Sequence, residues 1–232
     1  MKWTDHLKEQ GYDLINGPIR SHQLRQLWIK DWNSEPQLYY QDIDHAFTSS
    51  VSLSIKQDPT LSLHSTRDDE YAFNIGITFL DQILESIGLG SLKLSMIFNT
   101  GKKISIKYEH AESQSIPVGE IANYLSLADF KHPNPVLLRN ANRNDVIVIT
   151  GIVSASQIQM ELEYNIKVKP EMMTKLNKMA SGHLQFTNAK ENKIKMTSAG
   201  KTIFPVAVQA HRIQFSKGVF RGLKLVTDRD MF

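Results

Sequence analysis

Residues 157–169, QIQMELEYNIKVK, place an apolar side chain at every second position without a break. Ile158, Met160, Leu162, Tyr164, Ile166 and Val168 alternate with Gln157, Gln159, Glu161, Glu163, Asn165, Lys167 and Lys169. Successive strand residues point to opposite faces, so the segment predicts a ribbon with one apolar side and one polar side. An ordinary strand runs about 5–6 residues. A strand crossing a bilayer obliquely needs about 9–11, apolar toward lipid and polar toward a lumen. The pattern fits a strand of a water-soluble sheet and a strand of a membrane barrel alike.

Composition narrows the field. A hydrophobic share of 41% and a charged share of 22% are those of a globular chain, and 232 residues suffice for a sizeable core. The absence of cysteine excludes disulfides, thiolate metal sites and a cysteine nucleophile. The N-terminal MKWTDHLKEQ carries charges where a secretory signal needs an apolar stretch. The longest strongly apolar run, 146–153, falls far short of the ~20 residues of a spanning helix. The expectation is a chain made in soluble form that meets a membrane only by rearranging. Charge is uneven: residues 1–120 hold 11 Lys/Arg against 16 Asp/Glu, and residues 121–232 hold 16 against 8. A basic second half suits acidic lipid headgroups or nucleic acid, and equally a solvated sheet surface.

Period and punctuation predict the remaining elements. Trp3 and Leu7 share one side of a short helix over 3–10, stopped at Gly11. Leu24, Leu27 and Trp28 mark a helical face. Val51, Leu53 and Ile55 alternate with Ser50, Ser52, Ser54 and Lys56 and predict a strand over 47–56, whereas 64–70 is polar and turn-like. Residues 75–89 change to helical spacing through Phe79, Leu80, Ile83, Leu84 and Ile87, with Gly88 and Gly90 as a stop. Leu92, Leu94, Met96 and Phe98 then return to period two, and Ile104, Ile106 and Tyr108 read as the answering strand of a hairpin. A helix is expected over 118–130, broken at His132-Pro133-Asn134-Pro135, with a polar loop over 140–145. VIVITGIV, apolar on both sides, predicts a buried strand. Pro170 opens a helix with Met172, Met173, Leu176 and Met179 inward and Lys175 and Lys178 outward. Strands follow at 183–186, carrying Leu184 and Phe186, at 193–197, carrying Ile194 and Met196, and at 203–215. An alternating strand thus leads twice into an amphipathic helix and out to another alternating strand, at 47–98 and at 157–197.

Chemistry-bearing motifs are missing. The eight histidines show no i,i+4 pair and no HExxH set; there is no G-x-S-x-G, P-loop or G-x-G-x-x-G. Glu161 and Glu163 read as solvated carboxylates, and Asp68-Asp69-Glu70 as a polar loop. No enzyme, cofactor or metal is expected. Lys190, Lys193, Lys195, Lys201 and Arg212 are basic but interleave with core positions, which argues against nucleic acid.

Several stretches resemble the pore-forming domain of the bacterial gasdermins: LKEQGYDLINGP at the start, AFTSSVSLSI and NIGITFLDQILESIGLGSLKLSMIF as a first strand–helix–strand unit, then KISIKYEH and IPVGEIANYL. NDVIVITGIVSASQIQMELEYN is similar to the central strand entering a second unit, and TIFPVAVQAHRIQFSKGVFRGL to the closing strand. The resemblance implies an α+β fold, a twisted and mainly antiparallel central sheet with peripheral helices. It implies a pore-forming domain over 1–217 and a short tail over 218–232 that would act as an autoinhibitory peptide. A protease in an anti-phage system would cut the tail. Freed subunits would bind membrane phospholipid, of acidic type given the basic half, self-associate and unroll both units into a closed β-barrel. An unreleased protein would be cytoplasmic, and an active one would lie in the bacterial inner membrane.

On that reading the inserting faces are Val51, Leu53, Ile55, Leu92, Leu94, Met96, Ile158, Met160, Leu162, Tyr164, Ile166, Val168, Leu184, Phe186, Ile194 and Met196. Lys2, Trp3, Lys8, Lys175 and Lys178 are the lipid-contact candidates. Leu223, Leu225, Met231 and Phe232 would form the inhibitory cover. Arg221, Lys224 and Arg229 would suit a trypsin-like protease, and Asp228 and Asp230 a caspase-like one. Family members often carry a lipidated N-terminal cysteine, which this chain lacks. Inhibition by a separate partner protein, and a non-lytic soluble binding module on the same sheet, are the alternatives.

Overall fold

The computed structural model describes residues 7–15, 22–31, 36–59, 63–66, 103–131, 134–163, 170–179, 184–198 and 204–226. Strand β9 (Val146–Glu163) is its axis. Its first half, rich in β-branched residues on both faces, is buried: Val146, Ile147, Val148, Ile149, Ile152 and Val153 are all at most 5% exposed. The buried and the alternating segments expected as separate strands are one continuous strand.

Four neighbours share the two edges of β9. On one side β2 (Leu27–Ile29) pairs with 146–148, and β7 (Lys103–Ser115) pairs with 151–163. On the other, β12 (Phe204–Ser216) pairs with 147–155, and β11 (Lys193–Ser198) pairs with 159–163. All four pairings are antiparallel. Outward from these lie β1 (Asp13–Leu14) and β13 (Val219–Leu225) on β12, β3 (Gln37–Tyr40) on β2, β5 (Lys56–Pro59) and β6 (Leu63–Thr66) on β7, and β10 (Leu184–Lys190) on β11. A separate ribbon joins β4 (Phe47–Thr48) to β8 (Asp129–Phe130).

Helices α1 (Val118–Ser126) and α2 (Pro135–Asn142) cover the buried half, α1 against β13 and α2 against β12. Ile121, Tyr124, Leu125, Leu137 and Ala141 face Trp28, Phe47, Ile147, Ile149 and Ile213 in one core. Phe47, Phe130, Phe215 and Phe220 form a chain of ring contacts with centroids 5.2–5.9 Å apart, tying β4, β8, β12 and β13 together. Gly151 permits one close approach: a Cβ there would lie 2.7 Å from the Tyr12 hydroxyl.

Six more expectations are corrected, the first being the polar loop over 140–145, of which 140–142 belong to α2. The helical spacing of Leu24, Leu27 and Trp28 yields strand β2, because β9 offers an unpaired edge beyond the end of β7. The strand expected over 47–56 is limited to β4 and the start of β5. Val51, Leu53 and Ile55 lie between them in irregular backbone, where the Glu120 carboxylate accepts from both the backbone N–H and the hydroxyl of Ser54. The polar stretch 64–70 contains β6, held by its register on β7. The helix expected over 118–130 ends at Ser126, because Asp129 and Phe130 pair with β4. The break at 132–135 starts a helix: Asn134 Oδ1 caps α2 by accepting from the N–H groups of Val136 and Leu137, with Pro135 in the first turn. Other expectations hold: residues 7–9 are helical and end at Gly11 (φ 77°), and α3 (Pro170–Met179) begins at Pro170. Residues 75–98 lie outside the described residues, and with them Leu92, Leu94 and Met96.

Candidate membrane-inserting region

Beyond Ala155, β9 leaves the core and becomes the middle of an arm of antiparallel strands, β6–β7–β9–β11–β10. Paired residues of neighbouring strands share a face, so register sorts the arm into rows. Ile104, Leu162 and Ile194 form one apolar row, which ends at Asn188 on β10; Ile106, Met160, Met196 and Phe186 form the next, which ends at Ser65 on β6; Tyr108 pairs with Ile158 and with Leu63. The intervening rows are polar: Lys103, Glu163 and Lys193; Ser105, Glu161, Lys195 and Thr187; Lys107, Gln159, Thr197 and Gln185.

The two faces have different surroundings. Phe186, Ile194 and Met196 are 4%, 1% and 0% exposed, and α3 packs over β10 with Met173 buried. On the polar face Glu161, Gln185 and Thr187 are exposed, while Glu163 and Lys193 are half-buried with Lys193 Nζ 3.3 Å from Glu163 Oε2. The β7–β9 ladder keeps one register from Lys103–Glu163 to Ser115–Gly151 without a bulge, so no row changes face. Asn177 of α3 bonds the backbone of Phe186 twice, accepting from its N–H at 2.7 Å and donating to its carbonyl at 2.8 Å.

The sequence-expected residues distribute as follows. Ile158, Met160, Leu162, Ile194, Met196, Phe186 and Leu184 all fall in the arm with the expected register parity. Tyr164, Ile166 and Val168 lie outside the described residues. Val51, Leu53 and Ile55 are not in the arm. Val51 lines an open cleft of about 340 Å³ with Asp44, Phe47, Thr48, Ser49, Ser50, Ser52, Tyr124 and Lys131. Lys8 is half-buried beside Gly11, and Lys178 is exposed on α3, where Lys175 also lies; Lys2 and Trp3 lie outside the described residues. Arg221, Leu223, Lys224 and Leu225 belong to β13. Arg221 is the extra residue of a bulge, Lys224 is paired with Arg212, Leu223 packs on the core and Leu225 abuts Gly11. The Ser216-Lys217-Gly218 boundary is a two-residue hairpin turn with positive φ at Lys217 and Gly218. Asp228, Arg229, Met231 and Phe232 lie outside the described residues. Sequence reasoning missed Asn177, whose polarity beside the methionines was the available signal, and left Ile104, Ile106 and Tyr108 as a plain hairpin strand.

A polar cluster ties α1 to the segment that precedes β4. Tyr124 donates to Asp44 Oδ1 at 2.6 Å, Arg25 bonds both Asp42 and Asp44, and Lys131 donates to the Asp44 carbonyl. Burial acts to raise the Asp44 carboxyl, but the hydrogen bonds from Tyr124 and Arg25 outweigh it and hold the group below its ordinary range. Burial, then the bond to Asp44, pushes the Tyr124 phenol up. Among the described residues no group of three or more His, Cys, Asp or Glu converges as a metal site, and no helix is long and apolar enough to cross a membrane.

The sequence model of the Bacterial Gasdermin Family matches residues 15–219. The chain belongs to that family. Bacterial gasdermins are pore-forming effectors and not enzymes, and family and fold together support a pore-forming gasdermin-type effector. The structure of a bacterial gasdermin from Bradyrhizobium tropiciagri is similar at a TM-score of 0.60 and 12% identity, covering 96% of this chain and 90% of that one. This likeness supports the mainly antiparallel α+β fold expected from the sequence. The gasdermin A3 membrane pore matches at a TM-score of 0.34 and 8% identity, covering 100% and 97% of the two chains. No curated protein matches the sequence.

Proposed function

We propose that this gasdermin is a cell-death effector of anti-phage defence, held compact in the cytoplasm and released by proteolysis within its C-terminal tail. The released domain binds acidic phospholipid of the bacterial inner membrane, self-associates and extends its arm into a closed β-barrel. The observation that carries this reading is the register of β7, β9, β11 and β10, which gathers apolar residues into rows on one face and charged residues on the other. Closure is required because unpaired backbone groups in lipid cost several kcal/mol each. The apolar rows supply a lipid surface, and the Lys–Glu–Lys and Ser–Glu–Lys rows a wet lumen.

The tail divides into a part built into the sheet and a part beyond it. Leu223 and Leu225 hold β13 in place, so Arg221 and Lys224 sit within a paired strand that a protease cleaves only after local opening. Asp228 and Arg229, past the last strand pair, are the favoured scissile positions, with Met231 and Phe232 on the released peptide. An inhibitory partner protein takes this role if removal of the tail changes nothing.

The test is dye release from vesicles of acidic phospholipid, comparing the intact chain with a chain ending at Val226. The expected result is release by the shortened chain and none by the intact one. Absence of release from both, with no inhibitory protein present, overturns the pore reading in favour of a non-lytic binding module.

A further inference from the structure

Strand β10 ends the strand order of the arm, and among the described residues no strand pairs with its outer edge. Such an edge offers unpaired N–H and C=O groups to any extended chain. At Phe186 those groups are occupied. Its N–H donates to Asn177 Oδ1, and Asn177 Nδ2 donates to its carbonyl. The N–H and C=O of one residue in an antiparallel strand point to the same side, so these two bonds are the pair a neighbouring strand would make there. A side-chain amide carries the donor and acceptor of a peptide group. Asn177 therefore stands where the next strand would stand.

The same helix supplies a second contact. Met173, one turn before Asn177 and on the same side of α3, is buried against the arm. Helix α3 thus covers the apolar rows with one residue and the strand edge with the other. A partner strand must present apolar residues beside Phe186 and polar ones beside Gln185 and Thr187, which is the alternation of this chain's own arm.

We propose that Asn177 closes the β10 edge against strand pairing with a second copy of this chain, and that departure of α3 opens both the edge and the apolar rows in one movement. This rests on the pore reading above. It adds a specific residue as the element that sets the threshold for assembly.

The experiment compares wild type with Asn177→Leu and Asn177→Asp. Asn177→Leu removes both bonds, whereas Asn177→Asp keeps an acceptor for the Phe186 N–H but sets a carboxylate against the Phe186 carbonyl. Amide hydrogen exchange of the intact chain in solution is expected to be about tenfold faster or more at Phe186 in Asn177→Leu, with Thr187, which faces β11, unchanged. In acidic-phospholipid vesicles the Asn177→Leu chain ending at Val226 is expected to release dye at about a tenth of the concentration that the shortened wild type requires, with larger species by light scattering. Unchanged exchange at Phe186 overturns the assignment of the edge. Faster exchange with unaltered release and assembly, in a preparation whose shortened wild type does leak, overturns the role in assembly. No leakage from any form overturns the pore reading instead, and the exchange result still decides the edge.

Discussion

Lys193 Nζ lies 3.3 Å from Glu163 Oε2, across the last registered row that joins β11 to β9 and, through Lys103, to β7. Both side chains are about one-third exposed, so solvent screens the pair and it contributes on the order of 0.2–1 kcal/mol. Glu163→Gln is expected to lower the stability of the soluble protein by less than about 1 kcal/mol in urea and to leave vesicle dye release within about twofold.

The adjacent position behaves differently. Leu162 is registered between Ile104 and Ile194 in an apolar row. An ammonium on the lipid face of a barrel strand costs about 2–4 kcal/mol near the bilayer midplane. Leu162→Lys is therefore expected to abolish dye release by the shortened chain. Equal effects of Leu162→Lys and Glu163→Gln would contradict the assignment of faces.

Met196 is fully buried and paired with Met160 and Phe186. Met196→Ala is expected to cost about 2–5 kcal/mol of soluble-state stability, read from the urea midpoint at constant slope. A loss below about 1 kcal/mol would mean that the arm is not packed as described.

The Tyr124 hydroxyl bonds Asp44 and, at 3.3 Å, the carbonyl of Phe47. Tyr124→Phe leaves the exposed Asp44 carboxylate with one protein donor fewer, which water can replace. The expected loss is about 0.5–1.5 kcal/mol by denaturant melt, and a neutral result would remove the cluster from the forces holding α1 to the body.

His211 in β12 is buried, with Nδ1 2.9 Å from Thr150 Oγ1, and burial lowers its pKa below the ordinary 6.5. The unfolded chain then takes up the proton before the folded one does. Stability is undiminished above the unfolded value and declines as pH falls from it toward the folded value. Thermal midpoints are expected to fall between about pH 7 and pH 5 in wild type and to fall less in His211→Gln. Parallel curves would exclude His211 as the source. Asp44 is held below its ordinary range, and Asp145, whose carboxyl burial raises, is common to both proteins, so the difference between the two curves reports His211.

The arm was legible because one of its faces is buried: alternation in 157–163, 183–186 and 193–197, and the methionine-lined helix after Pro170, follow from that asymmetry. The body was less so. Residues 146–163 change from two-sided to one-sided apolarity near Ala155, which reads as two elements, yet one strand simply leaves the core. Leu27 and Trp28 are helix-spaced from Leu24, and only the edge of β9 makes them a strand. The serines around Val51 and Leu53 alternate as in a ribbon, but their backbone is engaged by Glu120, a partner 66 residues away from Ser54. Helix α2 carried a readable start in Asn134-Pro135, obscured by a second proline at Pro133. The polarity of Asn177 among the methionines was readable, but its two bonds were not, because they depend on which side of β10 is left unpaired, and that is decided by topology.

The unbroken register of β7 on β9 has one more implication. Thirteen residues of extended chain measure about 40 Å, already more than the hydrocarbon thickness of a bilayer. A one-residue slip would exchange every oily position for a charged one, so the alignment of these two strands is the riskiest choice in assembling a barrel. On the proposed function that alignment is made in water, where an error is reversible, before lipid is met.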